Sequence, residues 1–182
     1  MAEALIAVAA LVALALAGLL VYAATRPDRF LIERPAVIAA PPAAIFPLIS
    51  DFRAWAAWSP WEGKDPALRR QYGEPAAGLG ATYAWAGNGK VGVGRMEIVE
   101  SAPPSRIAIR LTFLKPFKAE NMAEFTLTPQ GAGTEVAWAM HGPSPYLSKL
   151  MGVVCNMDRM VGREFETGLG NLKGVVEGEN TR

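Results

Sequence analysis

The 182-residue chain has one cysteine, Cys155, and one histidine, His141. A single thiol excludes an intramolecular disulfide framework and any thiolate cluster, and a single imidazole excludes a multi-histidine metal site. Charge is sparse as well: 18 Lys and Arg face 17 Asp and Glu, a net +1, with no basic run anywhere. Nucleic-acid binding is not expected, because phosphate neutralisation needs clustered cations. There is no internal repeat, and no cofactor or metal is implied by any residue cluster.

What is abundant is apolar surface, and it is unevenly spread. Hydrophobic residues make up 51% of the chain, but 22 of the first 25 residues are apolar and Glu3 is their one charge. The remainder is close to the composition of an ordinary soluble domain, long enough to hide about two-thirds of its extended surface. From Ala4 to Thr25 nothing is charged at neutral pH, and at about 1.5 Å per residue this stretch spans a hydrocarbon core of ~30 Å. Tyr22 falls near the end, where an amphipathic ring sits at headgroup level. A cleaved signal peptide is the rival reading, but it wants a basic start and an apolar run of only ~7–15 residues, and this chain begins Met-Ala-Glu. The expectation is a single-pass membrane anchor over residues 4–25. Arg26, Arg29 and Arg34 follow it directly, which favours a cytoplasmic C-terminal domain.

After a polar connector at residues 26–29, Phe30–Ala39 reads as a first strand. Ala43–Ile49 and Asp51–Trp58 read as two short helical turns. Six strand-like stretches follow: Leu68–Tyr72, Ala81–Ala86, Val91–Glu100, Arg106–Leu114, Ala119–Thr128 and Glu135–His141, each bounded by Gly, Pro or Asn. Their apolar residues recur with period two. Ile107, Ile109, Leu111 and Phe113 share one face, as do Asn121, Ala123, Phe125 and Leu127, and Val136, Trp138 and Met140. From Leu147 to Val176 the period changes to three and four, predicting a long amphipathic helix on the dry face of the sheet, with a break anticipated near Gly152.

Several motifs carry more than one reading. Gly87-Asn88-Gly89-Lys90-Val91-Gly92 matches the dinucleotide-binding G-x-G-x-x-G pattern, but a strand rather than a helix follows it, so Asn88-Gly89 is expected to be a hairpin turn with positive φ. Trp55, Trp58 and Trp61 form a dense aromatic knot. They pack a short helix against the sheet, form the lid of an apolar pocket, or sit at the bilayer surface. His141 faces away from Trp138 and Met140 by parity, as a surface histidine near a turn, with general-base chemistry the alternative. Asn121 points to the apolar side, where a buried amide must find a partner, and a bound ligand is one candidate. Glu120 and Glu124 face outward together, so a paired-carboxylate acid/base site is not expected. Cys155 reads as a small core residue of the last helix.

The order of elements, an α+β arrangement of strand, two short helices, antiparallel strands and one long helix, resembles the helix-grip fold of the START-like (SRPBCC) superfamily. From about Phe30 to Val176 the chain is similar to its polyketide cyclase/dehydrase and lipid-transport-like group. The residues carrying this are Trp58-Ser59-Pro60-Trp61, Gly78-x-Gly80, Tyr83-x-Trp85-x-Gly87-Asn88, Gly94-x-Met96, Phe113-x-Lys115-Pro116-Phe117, Gly133-Thr134-x-Val136-x-Trp138, and Met157-Asp158-x-Met160-Val161-Gly162 with Gly168-Leu169-x-Asn171-Leu172. The resemblance implies a curved antiparallel sheet wrapped around the last helix with an apolar cavity between them, and domain limits of 30–178 before a short tail at 179–182. Members range from ligand carriers to true cyclases.

The expected function is therefore a membrane-anchored domain that binds a small hydrophobic ligand, lipid or polyketide-like, between sheet and helix. Tyr83, Trp85, Met96, Phe113, Phe125, Trp138 and Met140 are the candidate wall residues, Asn121 the polar contact, and Trp55, Trp58 and Trp61 the lid. These side chains filling a solid core is the bland alternative. Two other functions stay open: a cyclase- or dehydratase-like enzyme using Asn121, Arg95 or His141, and a protein-interaction domain at the membrane.

Overall fold

A computed structural model describes residues 1–154 and 156–178, so the expectation for Cys155 and the tail at 179–182 lie outside the described residues. Helix α1 runs from Ala2 to Ala24. It is apolar around its whole circumference, with a mean hydropathy of 2.9 in its best window, and long enough to cross a membrane. Strand β1 (Arg29–Ile38) leads to α2 (Pro42–Ser50) and a 3-10 turn at Ala54–Ala57. Strands β2 (Arg69–Tyr72), β3 (Thr82–Ala86), β4 (Val93–Ala102), β5 (Arg106–Lys115), β6 (Ala119–Gln130) and β7 (Gly133–Pro143) follow. Helices α3 (Tyr146–Val154) and α4 (Met157–Glu177) complete the chain.

The strands form one sheet in the order β1-β7-β6-β5-β4-β3-β2, with antiparallel pairing from β2 through β7. Strands β1 and β2 are its edges. Register shifts between Val93 and Gly94 and between Ile98 and Glu100 coil the β4–β5 pair, as bulges do. The period-two pattern is realised: Ile107, Ile109, Phe125, Leu127, Val136 and Trp138 are buried on one face, where Phe165, Leu169 and Leu172 of α4 are also buried. This is the helix-grip fold.

The β3–β4 connection differs from the expected Asn-Gly turn. Among the described residues no non-glycine residue has positive φ, and the left-handed position in this loop is Gly92, at φ 69°. The loop is longer than two residues: Gly87 N–H donates to the Gly92 carbonyl at 2.9 Å, and Asn88 Oδ1 accepts from Lys90 N–H at 2.8 Å. Asparagine works here through its side chain, as an Asx turn, instead of through αL backbone.

The last helix is divided. Helix α3 ends at Val154 and α4 begins at Met157, close to the anticipated Gly152. The chain also divides into two structural units, whose boundary falls at the start of α4. Met1–Phe30 groups with Pro143–Met157, and Leu31–Gly142 with Asp158–Arg182. The dry-face helix is thus α4 alone. Leu147 and Met151 of α3, expected to pack on the sheet, are 60% and 46% exposed.

Gly133 begins β7 where the backbone of β1 crowds it. A Cβ there would stand 2.5 Å from the Ile38 carbonyl oxygen and 3.3 Å from its carbon. Because those atoms are backbone, they cannot rotate away, and Gly133→Ala is expected to destabilise the domain by about 1–3 kcal/mol, the usual cost of overpacking. Urea unfolding of the detergent-solubilised chain checks this; an unchanged midpoint would mean that the β1–β7 contact yields freely.

Candidate functional site

The two indoles at the 3-10 turn are fixed first. Trp55 and Trp58 donate their Nε1–H groups to the carbonyls of Ile49 and Leu48, both at 2.9 Å. Those carbonyls belong to the last turn of α2, where no further helical N–H is available to them. The tryptophan knot thus caps α2, and Trp58, only 1% exposed, is buried in the core. Asn171 of α4 donates to the Trp58 carbonyl at 3.0 Å, tying the helix to the same knot.

Trp138 of β7 lies at the centre of the aromatic cluster. Its ring stacks on Phe165 of α4 at 4.2 Å and 9°, and on Phe125 of β6 at 4.8 Å and 29°. Trp55, Trp58 and Trp61 meet it edge to face at 5.6–6.3 Å. Such pairs contribute roughly 0.5–1.5 kcal/mol each beyond area burial.

Beside this cluster, between sheet and α4, is a cavity of about 210 Å³. Strands supply Tyr83, Trp85, Met96, Leu111, Phe113, Ala123, Trp138 and Met140, α4 supplies Val161 and Phe165, and the loop after α2 supplies Trp55, Ser59, Trp61, Glu62 and Leu68. Six of the seven expected wall residues are therefore brought together: Tyr83, Trp85, Met96, Phe113, Trp138 and Met140. Phe125 and Asn121 are buried on the same face but outside the lining. Of the expected lid, Trp55 and Trp61 line the space, and Trp61 is the less buried of the two.

The polar contacts come from elsewhere. Glu62, with a side chain only 8% exposed, accepts from Tyr83 Oη–H and from Arg70 Nε–H, both at 2.6 Å. Asp65, also buried, accepts from the backbone N–H of Asn88 at 2.7 Å and of Ala67 at 2.9 Å, which holds the Gly87–Gly92 loop down. That loop brings Val91 and Lys90 to the cavity, and Trp85 Nε1–H donates to the Val91 carbonyl at 3.0 Å. Lys90 has no acidic partner among the described residues.

Burial, and then its hydrogen bond to Glu62, push the Tyr83 phenol up from its ordinary value of 10.0. Below pH 10 the phenol is neutral both folded and unfolded, and its stabilising contribution is complete. Above pH 10 the unfolded chain ionises first, so stability falls as pH rises. Replacing Tyr83 by phenylalanine is expected to flatten that alkaline loss, measured as urea midpoints on either side of pH 10; equal slopes in the two proteins would contradict it.

The residues named for an enzyme are dispersed. Arg95 is exposed on the outer face of β4. His141 is outward on β7, its Nε2 3.0 Å from Glu124, which also pairs with Arg106 at 3.0 Å. Neither reaches the cavity, nor does Asn121. Among the described residues no group of three or more His, Cys, Asp or Glu side chains is placed to hold a metal.

No curated protein matches the sequence. Solved structures share the fold at low identity. SA2116 from Staphylococcus aureus, a protein of unknown function, superposes with a TM-score of 0.63 at 14% identity, over 85% of this chain and 98% of that one. Protein CV1439 from Chromobacterium violaceum gives 0.57 at 18%, over 84% and 99%. DynU16, from the dynemicin biosynthetic locus, gives 0.56 at 18%; 84% of this chain aligns, with about half, 48%, of that one. Residues 29–177 match the family described as polyketide cyclase / dehydrase and lipid transport. With the sheet, the gripped α4 and the cavity between them all falling inside that match, the chain belongs to the polyketide cyclase/dehydrase and lipid transport family, within the SRPBCC-like group.

Proposed function

We propose that this domain binds a small hydrophobic ligand, lipid or polyketide-like, in the cavity between sheet and α4, and that α1 tethers it to a membrane. The observation carrying the first part is the cavity itself: about 210 Å³ walled almost wholly by aromatic and aliphatic side chains. Its one carboxylate, Glu62, is already bonded through both oxygens. This saturated polar corner holds the wall in shape and leaves the carboxylate no free oxygen to act as a general base, which favours binding over cyclase chemistry.

Size narrows the ligand. An apolar cavity of about 150 Å³ accommodates benzene, so 210 Å³ suits one or two fused rings or part of a single acyl chain, not both chains of a membrane lipid. The unpaired Lys90 ammonium at the lining favours an acidic or carbonyl-bearing end. Native mass spectrometry of the gently solubilised full chain is expected to show a bound small molecule, and hydrophobic acids of this size are expected to raise its melting temperature. A consistently empty domain with no shift from any of them would overturn the reading.

The anchor rests on the length and apolarity of α1, whose residues other than Ala23 are left unburied. Alkaline carbonate washing is expected to leave the protein in the membrane pellet, whereas a shortened, washable product would indicate a cleaved signal. Arg26, Arg29 and Arg34 support a cytoplasmic domain; digestion by protease added outside intact cells would reverse that orientation.

A further inference from the structure

The sheet and α4 account for the cavity but not for α3, whose outward face is apolar. We propose that α3 lies in the membrane–water interface as a brace on the anchor, with Leu147 and Met151 dipping among the lipid headgroups and upper acyl chains. This rests on the reading of α1 as a membrane span, and concerns only the unit that α1 and α3 share.

Depth is the first argument. Tyr146, the first residue of α3, donates its hydroxyl proton to the Leu20 carbonyl at 3.0 Å. Leu20 lies one turn, about 6 Å, before the end of α1. An α1 that spans the bilayer therefore carries Tyr146 to the level where the apolar run gives out. Tyr22 and Arg26 mark the same level, with the Arg26 guanidinium 5.5 Å from the Tyr22 ring centre. A tyrosine with its ring in the acyl boundary and its hydroxyl bonded there is a common interfacial arrangement.

Fixation is the second. Asp28, just after the span, accepts from Lys149 Nζ at 2.5 Å and, through its carbonyl, from Ser144 N–H at 2.7 Å. Lys149 holds its charge toward that aspartate with its side chain only 9% exposed, and the pair pulls the Asp28 carboxyl below its usual range. With Tyr146 bonded on one side of the membrane exit and Lys149 on the other, α3 cannot swing away without breaking both contacts.

Surface chemistry is the third. Leu147 and Met151 are four residues apart, on one face of α3, and are the exposed residues given above. Tyr146 beside them is 46% exposed and Met157, next along the same unit, 48%. The helix Tyr-Leu-Ser-Lys-Leu-Met-Gly-Val-Val has no acidic residue to be repelled by an anionic leaflet. Short amphipathic helices of this kind bury their apolar face at the headgroup boundary. A membrane at the level of Tyr146 covers that face with no further partner.

The test uses the full chain in vesicles of phosphatidylcholine and phosphatidylglycerol, with Cys155→Ser as background and a polarity-sensitive nitrobenzoxadiazole dye on single introduced cysteines. Dye at Leu147→Cys and at Met151→Cys is expected to be blue-shifted and to lose about half its emission to a spin label placed near the headgroup. Dye at Leu14→Cys, in the middle of α1, should instead be quenched by a label at the chain end, and dye at Gln130→Cys, at the exposed end of β6, by neither. If Leu14 is quenched at depth while Leu147 and Met151 behave like Gln130, the brace is wrong and the anchor stands. If Leu14 itself is unquenched, the anchor reading and the brace fall together. A blue shift at Leu147 and Met151 without lipid quenching would assign the face to another protein copy, and also overturns the proposal.

Discussion

Trp138→Ala is expected to destabilise the domain by about 3–5 kcal/mol, the range for removing a buried tryptophan. Its ring is the one that both Phe125 and Phe165 stack against, so truncation leaves a void joined to the existing cavity and frees two further rings to relax. Gly168 of α4 is packed against the same ring: a Cβ there would be 2.8 Å from it and 3.0 Å from the Pro60 ring. Trp138→Phe separates packing from polarity. Nε1 of Trp138 is buried without a hydrogen-bond acceptor among the described residues. Phenylalanine removes that unsatisfied donor, a gain of roughly 1–3 kcal/mol that offsets lost contact area, so this variant should lie within about 1.5 kcal/mol of the parent. Urea unfolding of the solubilised chain, followed by far-ultraviolet circular dichroism, decides both. A Trp138→Ala cost under about 1 kcal/mol would mean that the cluster is not the keystone of the α4 contact.

The second large effect concerns binding. Ala123, on β6 between Ile109 and Met140, is the smallest side chain in the cavity wall. Ala123→Phe would place a ring in a space of about 210 Å³, and affinity for a naphthylamine dye or for the natural ligand should fall at least about a hundredfold, or roughly 2.7 kcal/mol. Because the new ring fills a void, the stability cost should stay at or below the 1–3 kcal/mol typical of overpacking. The same change at Thr128, outward on the same strand, should leave dye affinity untouched. Undiminished dye binding by a folded Ala123→Phe protein would place the dye site, and by extension the ligand, outside this cavity.

Most of the sheet is legible in the sequence because alternation is a local signal. Each of Ile107, Ile109, Phe125 and Trp138 announces its face by its neighbours two residues away, and the structure keeps that parity. The wall residues follow from the same rule. What periodicity cannot convey is how far along a strand the cavity extends, which is why Phe125 and Asn121, correctly faced, fall outside it. Glu62 and Lys90 escape for a different reason: both sit in loops, where spacing carries no orientation, and only the fold brings Glu62 to Tyr83, 21 positions away. The break between α3 and α4 is signalled by Gly152, but the exposure of Leu147 and Met151 is hidden, since they and Phe165 continue one helical period across it.

The two edges of the sheet have a consequence of their own. An unpaired strand edge is a template for adding another strand, and confinement of many copies to one leaflet would bring such edges together far more often than free diffusion does. Strand β1 carries Pro35 in its middle, with Arg29, Glu33 and Arg34 around it, and Arg34 is committed to Asp158 and Glu166 at 3.0 and 2.8 Å. Strand β2 is only four residues long and reads Arg-Arg-Gln-Tyr. Proline, charge and shortness at these two margins guard against neighbouring copies knitting into a continuous sheet, wherever they are crowded together.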